Sequence, residues 1–167
     1  MRTDMYGGSL ENRLRFAVNI IRKVRERIGN DLALGIRFPG DENIPADDHG
    51  PAGLTLEDNK VIVRKLEEAG LDYIDVSGGA TETIDHVIPN REGEYIPYAV
   101  EFKKAGVKIP LVVPGIHEPE NADRAIQDGK IDMLGSARPL LVDPEWPNKA
   151  KEGRVKEIRR CKKDNLC

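Results

Sequence analysis

Residues 109–138, IPLVVPGIHEPENADRAIQDGKIDMLGSAR, hold two short apolar runs separated by a polar stretch. Residues 109–113 (IPLVV) and 131–135 (IDMLG) read as buried strands, and residues 121–127 as the short helix that joins them. A strand–helix–strand unit of this length closes in parallel, by a right-handed crossover. Towards the N-terminus the pattern recurs. Residues 32–38 (LALGIRF), flanked by Asn30 and Asp31 and by Pro39 and Gly40, read as a strand, and so do residues 72–76 (DYIDV). Between them Thr55 can cap a helix with Ile62, Val63, Leu66 and Ala69 on its apolar side, ending at Gly70. Before them Leu10, Leu14, Ala17, Ile21, Val24 and Ile28 form a helical stripe, with Ser9 as N-cap and Gly29 as stop. Residues 95–105 give another helix after a long loop over 77–94. Four strands alternating with helices fit either an open doubly wound sheet or part of a (β/α)8 barrel, which needs about 250 residues when complete.

The chain has 167 residues, 39% hydrophobic and 33% charged, with Lys+Arg 26 against Asp+Glu 29 and a net charge of −3. That profile describes a folded domain and argues against nucleic-acid binding, which needs a concentrated excess of cations. There is no apolar run of roughly 18 residues to cross a membrane and no signal peptide after Met1, so a cytoplasmic address is expected. The tail from Pro144 onward is basic, with one or two short helices.

In both folds ligands sit beyond the carboxyl ends of the strands. There the first strand offers Arg37, a charge in an apolar run, whose partner is either a ligand anion or a carboxylate such as Asp41 or Asp75. The third strand is followed by Pro114, Gly115 and Ile116, and the fourth by Gly135, Ser136, Ala137, Arg138 and Pro139. Small residues admit close backbone approach and an arginine grips phosphate, so these two loops form a candidate phosphate site. His49, His86 and His117 lack metal-ligand spacing and read as surface or loop residues, with His86 the one facing a ligand. Tyr73 and Phe16 read as core, and Trp146 as the anchor of the tail.

The run RTDMYGGSLENRLRF at residues 2–16 resembles the signature D-x-Y-G-G-S-x-x-N-R of the Old Yellow Enzyme family of FMN-dependent NAD(P)H:flavin oxidoreductases. LGIRF, DYIDVSGG, residues 109–150 and a terminal C-x-x-D-N-x-C follow in family order. The closest likeness is to the branch that includes 2,4-dienoyl-CoA reductase and trimethylamine dehydrogenase. The resemblance implies a half-barrel of strands five to eight over residues 1–143, with residues 144–167 as a tail. It implies FMN as cofactor and NAD(P)H as reductant. It places Arg37 at the flavin pyrimidine edge and Gly115, Gly135, Ser136, Ala137 and Arg138 at the FMN phosphate. Pro114 and Ala137 stand where the family has glycines.

The family's substrate-binding His and its partner precede RTDMYGG, so no catalytic acid is assigned to this chain. Asp164 stands where a cluster cysteine would be, so Cys161 and Cys167 are expected to hold no [4Fe–4S] cluster. The expected function is that of an ene-reductase-like enzyme represented by its C-terminal half. The alternative is a non-catalytic half-barrel that binds FMN or another phosphorylated ligand, or only oligomerises. Exposed strand edges and an inner face expected to hold Leu34, Ile36, Ile74 and Leu134 imply a homodimer or a missing N-terminal half.

Overall fold

The computed structural model describes residues 2–47 and 52–164. Helix α1 (Leu10–Ile28) starts at Ser9, whose hydroxyl accepts the Asn12 amide at 3.2 Å, and stops at Gly29, whose φ of 63° suits glycine. Helix α2 (Leu56–Glu68) opens with a reciprocal capping box between Thr55 and Asp58. Strands β1 (Gly35–Pro39), β2 (Tyr73–Ser77), β3 (Leu111–Pro114) and β4 (Met133–Gly135) pair in parallel in that order. The loop expected over 77–94 contains a 3₁₀ turn (Thr81–Thr83) and α3 (Ile84–Val87). Then come α4 (Ile96–Lys104), α5 (Pro119–Gln127), α6 (Arg138–Val142) and α7 (Trp146–Lys151).

Strand order decides between the two folds. A doubly wound sheet reverses direction at a switch point, whereas an unreversed order with right-handed crossovers lays every helix on one face. The sheet is therefore the half-barrel kind. Its core lies between that face and the helices: Ile62, Val63 and Leu66 of α2 and Ala99 and Phe102 of α4 bury against Ile74, Val76, Leu111 and Val113.

The register fixes which side chains face the other way. Ile36, Ile74 and Leu111 lie in one row and Val113 and Leu134 in another, and all belong to the helix-side core. Leu34 packs there too. The inner-face assignment of Leu34, Ile36, Ile74 and Leu134 is thus corrected by one residue, since a one-residue shift exchanges the faces of a strand. The open face carries the row Arg37, Asp75, Val112 and Met133. Phe16, expected in the core, is 65% exposed on α1.

At the amino ends of the strands one arrangement occurs twice. Leu34 donates its amide to the Asp72 carboxylate at 2.7 Å while the Asp72 amide donates to the Leu34 carbonyl at 2.8 Å, and Arg25 of α1 pairs with the same carboxylate. Leu111 donates to Asp132 at 2.9 Å, the Asp132 amide returns a bond at 3.1 Å, and Lys103 of α4 pairs with the carboxylate at 2.7 Å. In each case a carboxylate satisfies an amide at the mouth of a strand and a helix cation neutralises it.

The tail is tied down at two points. Trp146 is buried and donates its indole N–H to the His117 carbonyl at 3.1 Å. Asp143, 1% exposed, accepts from Lys149 Nζ at 2.7 Å and from the Arg159 amide at 2.9 Å. These donors hold its carboxyl down to about 2, led by the Lys149 bond.

Candidate functional site

Arg37, Gly115, Ala137 and Arg138 converge on one cavity of about 350 Å³ at the carboxyl ends of the strands. Tyr95 and His117 complete its polar lining, and Pro114 and Pro139 frame it. Arg37 projects from the open face of β1, with 57% of its side chain exposed, and stands 3.9 Å from Asp75. That contact settles its protein partner. Asp41 is taken up by the Asn43 and Leu56 amides at 2.7 and 3.0 Å. Burial pushes the Asp75 carboxyl up, with Arg37 opposing.

The two small-residue loops meet above β3 and β4. Gly115 has φ 86°, a left-handed conformation that favours glycine, and a Cβ there would meet open space. Its carbonyl accepts the Gly93 amide at 2.9 Å, which ties the loop before α4 to the β3 loop. Gly135 sits against Pro114, where an added Cβ would lie 3.2 Å from the proline Cβ. Arg138 opens α6, and its guanidinium donates to the Pro89 carbonyl at 2.9 Å. Of the expected set, Gly135 and Ser136 do not line the cavity; they sit at the β4 end, and the Ser136 Oγ is buried without a partner.

The opposite wall is organised by Tyr95 and Glu92. The Tyr95 hydroxyl donates to the His86 and Val87 carbonyls, at 2.8 and 2.7 Å, and burial pushes its pKa up while Arg37 and Arg138 pull it down. Glu92 accepts the His117 and Glu118 amides at 3.0 Å each and the Asn121 side chain at 3.1 Å, so it caps α5. Lys163 approaches its second oxygen at 3.3 Å. Burial pushes the Glu92 carboxyl up, but the bonds from Asn121, His117 and Lys163 together bring it below its ordinary value.

His117, expected as a surface or loop residue, does lie in the loop after β3, but it is 6% exposed, its carbonyl accepts the Trp146 indole N–H, and it lines the cavity. The only local hint was its position two residues after Gly115. Its carbonyl is held by a tryptophan 29 residues further on. Tyr95 likewise went unnoticed, because nothing in EGEYIPY marks which aromatic turns inward. His86 is half-buried beside the cavity's Val87, and Tyr73 lies over Gly35, where an added Cβ would come within 2.1 Å of its ring. His49 and Cys167 lie outside the described residues, and among those described no three His, Cys, Asp or Glu side chains gather as a metal site. No described helix is long and apolar enough to cross a membrane.

A half-barrel whose strand ends bring two arginines and two small-residue loops to one cavity belongs to the (β/α)8-barrel class of architecture. Residues 1–157 match the NADH:flavin oxidoreductase / NADH oxidase family. The chain belongs to that family. It is 43% identical to the NADH oxidase of Thermoanaerobacter brockii over 169 residues, covering 99% of this chain and 25% of that protein. It is 33% identical to the cinnamate reductase of Clostridium sporogenes, covering 96% of this chain and 26% of that one. A solved 2-naphthoyl-CoA reductase in complex with 2-naphthoyl-CoA superposes with a TM-score of 0.87 at 34% identity, covering 96% of this chain and 24% of that one. The chain spans about a quarter of the length of these relatives.

Proposed function

We propose that residues 1–143 form the phosphate-holding side of an FMN site in an NAD(P)H-dependent oxidoreductase, with residues 144–167 packed beside it as a tail. The observation that carries this reading is the convergence of Arg37, Gly115, Ala137 and Arg138 on one cavity. A phosphate monoester fits that donor set, because a guanidinium supplies charge and two small residues leave room for the backbone to approach. Bound FMN supplies the hydride acceptance and donation of this family's chemistry. Arg138, with Gly115 and Ala137, binds the phosphate, and Gly135 and Ser136 shape the loop that carries Ala137. Arg37 places a fixed cation on the open face, where it favours negative charge on the flavin pyrimidine, and Asp75 offsets part of that charge.

The remaining walls of the flavin site come from residues outside these 167 or from a second copy of the chain. The catalytic proton donor belongs to that part as well. No [4Fe–4S] cluster is proposed on Cys161 and Cys167, because Asp164 occupies the place of the intervening cysteine.

The test is a titration with FMN that follows flavin fluorescence and the emission of Trp146, the single tryptophan. Saturable binding is expected. Arg138→Ala removes a hydrogen bond to a charged group, about 1.5–3 kcal/mol, which weakens binding roughly 10- to 150-fold. No binding to the unaltered chain at high micromolar FMN refutes the reading. FMN binding without NAD(P)H oxidation fits this reading and a phosphorylated-ligand module alike, whereas NAD(P)H oxidation by the chain favours the first.

A further inference from the structure

Among the described residues, four buried side-chain polar atoms have no hydrogen-bond partner: Asn59 Oδ1, Asp75 Oδ1, His117 Nδ1 and Ser136 Oγ. Of these four residues only His117 lines the cavity that also holds Gly115, Ala137 and Arg138. A buried imidazole nitrogen without a partner is costly to leave so, and the ring that carries it lines the cavity with Arg138, so its proton count answers to charge entering there. We infer that His117 is a further phosphate-side binding residue, whose imidazole takes up a proton when a phosphate monoester dianion enters beside Arg138. This rests on the reading that the cavity takes FMN by its phosphate.

The surroundings favour a switch of this kind. Burial first, then Lys163 from the tail and Arg138 from α6, hold the imidazole below its ordinary ionisation, and Glu92 opposes them. Trp146, the tail residue packed on this segment, carries no charge. The Glu92 carboxylate is already engaged by the His117 and Glu118 amides, Asn121 and Lys163, so its charge is largely spent on them. The ring is therefore neutral near pH 7 in the free protein. Two negative charges beside Arg138 offset the cations that disfavour protonation. By linkage, a group whose pKa rises on binding tightens the complex at low pH, and affinity falls as pH rises through the bound-state value. Each pH unit inside that window is worth up to tenfold in affinity.

Isothermal titration calorimetry of the chain with FMN at pH 7.5, in two buffers of different ionisation enthalpy, counts the protons taken up. At that pH the FMN phosphate, with a second ionisation near about pH 6, is chiefly dianionic. Net uptake is expected for the unaltered chain and none for His117→Gln, which also binds FMN roughly tenfold more weakly. NMR of the unaltered chain, following the His117 ring through a pH titration with and without FMN, needs no variant and is expected to show the His117 transition moving up. FMN binding with no uptake, uptake that persists in His117→Gln, or an unmoved His117 transition overturns the inference and leaves the flavin reading standing. Failure of the unaltered chain to bind FMN refutes that reading and this inference together.

Discussion

Asn59 is the side chain whose replacement tests the fold most directly. It lies on the buried face of α2, fully excluded from water, and its Nδ2 donates to the Pro39 and Gly40 carbonyls at 3.1 Å each. Those carbonyls end β1, two residues beyond Arg37, so one amide joins the helix layer to the strand end that carries the site. Asn59→Ala removes two hydrogen bonds of about 1 kcal/mol each and leaves two acceptors poorly satisfied. The Asn59 Oδ1, itself buried without a partner, disappears at the same time and offsets part of the loss. The net expectation is a destabilisation of about 1–3 kcal/mol, which lowers Tm by about 2–4 °C for each kcal/mol in a chain of this length.

Asn59→Asp keeps the shape but turns a carboxylate towards two carbonyls. Its pKa is therefore raised in the folded state, so the penalty is present above the unfolded-state pKa and fades as pH falls towards it. Urea unfolding followed by far-UV circular dichroism and by Trp146 fluorescence, at pH 7 and pH 4, measures all three proteins. An Asn59→Ala change below about 0.5 kcal/mol, or an Asn59→Asp variant no worse than Asn59→Ala at pH 7, refutes the assignment of this amide as the bridge.

Two further outcomes follow from particular contacts. Asp143 is held to about 2 by Lys149 and the Arg159 amide, so its contribution is fully present above its unfolded value near 3.8 and is lost as pH falls from there to about 2; acid unfolding of the unaltered chain should show that loss and Asp143→Asn should lack it. Gly35→Ala would place a Cβ 2.1 Å from the Tyr73 ring, an overpacking cost of about 1–3 kcal/mol by urea unfolding, relieved when Tyr73 is shortened to Leu in the same chain.

Much of the architecture was legible because punctuation and period agree. Ser9, Gly29 and Thr55 mark helix ends with unmistakable chemistry, and each strand sits between turn-forming residues. The faces of the strands were not legible from hydrophobicity, since strands in parallel sheets are apolar on both sides and a one-residue error costs the pattern nothing. Arg37 and Asp75 held the missing information. Two charges at paired positions cannot both face the helix core, and taking their parity first would have sent Ile36 and Ile74 to the correct side.

The loops proposed to hold phosphate were legible as small-residue segments after strands, although only the fold shows that Gly115, Ala137 and Arg138 share a cavity that Gly135 and Ser136 do not line. Asn59 carried a signal that went unread: it stands three residues after Leu56 and three before Ile62, an amide in an apolar stripe. His117 could not be placed, because its cover is tertiary.

The twin clasps at Leu34–Asp72 and Leu111–Asp132 recur on β1 with β2 and on β3 with β4, while Glu67 of α2 accepts the Lys108 and Ile109 amides where β2 meets β3. The outer edge of β4 is then of the same kind that β2 presents to β3. Its natural neighbour is a strand that opens a new pair, whether that strand belongs to another stretch of the same polypeptide or to a second molecule.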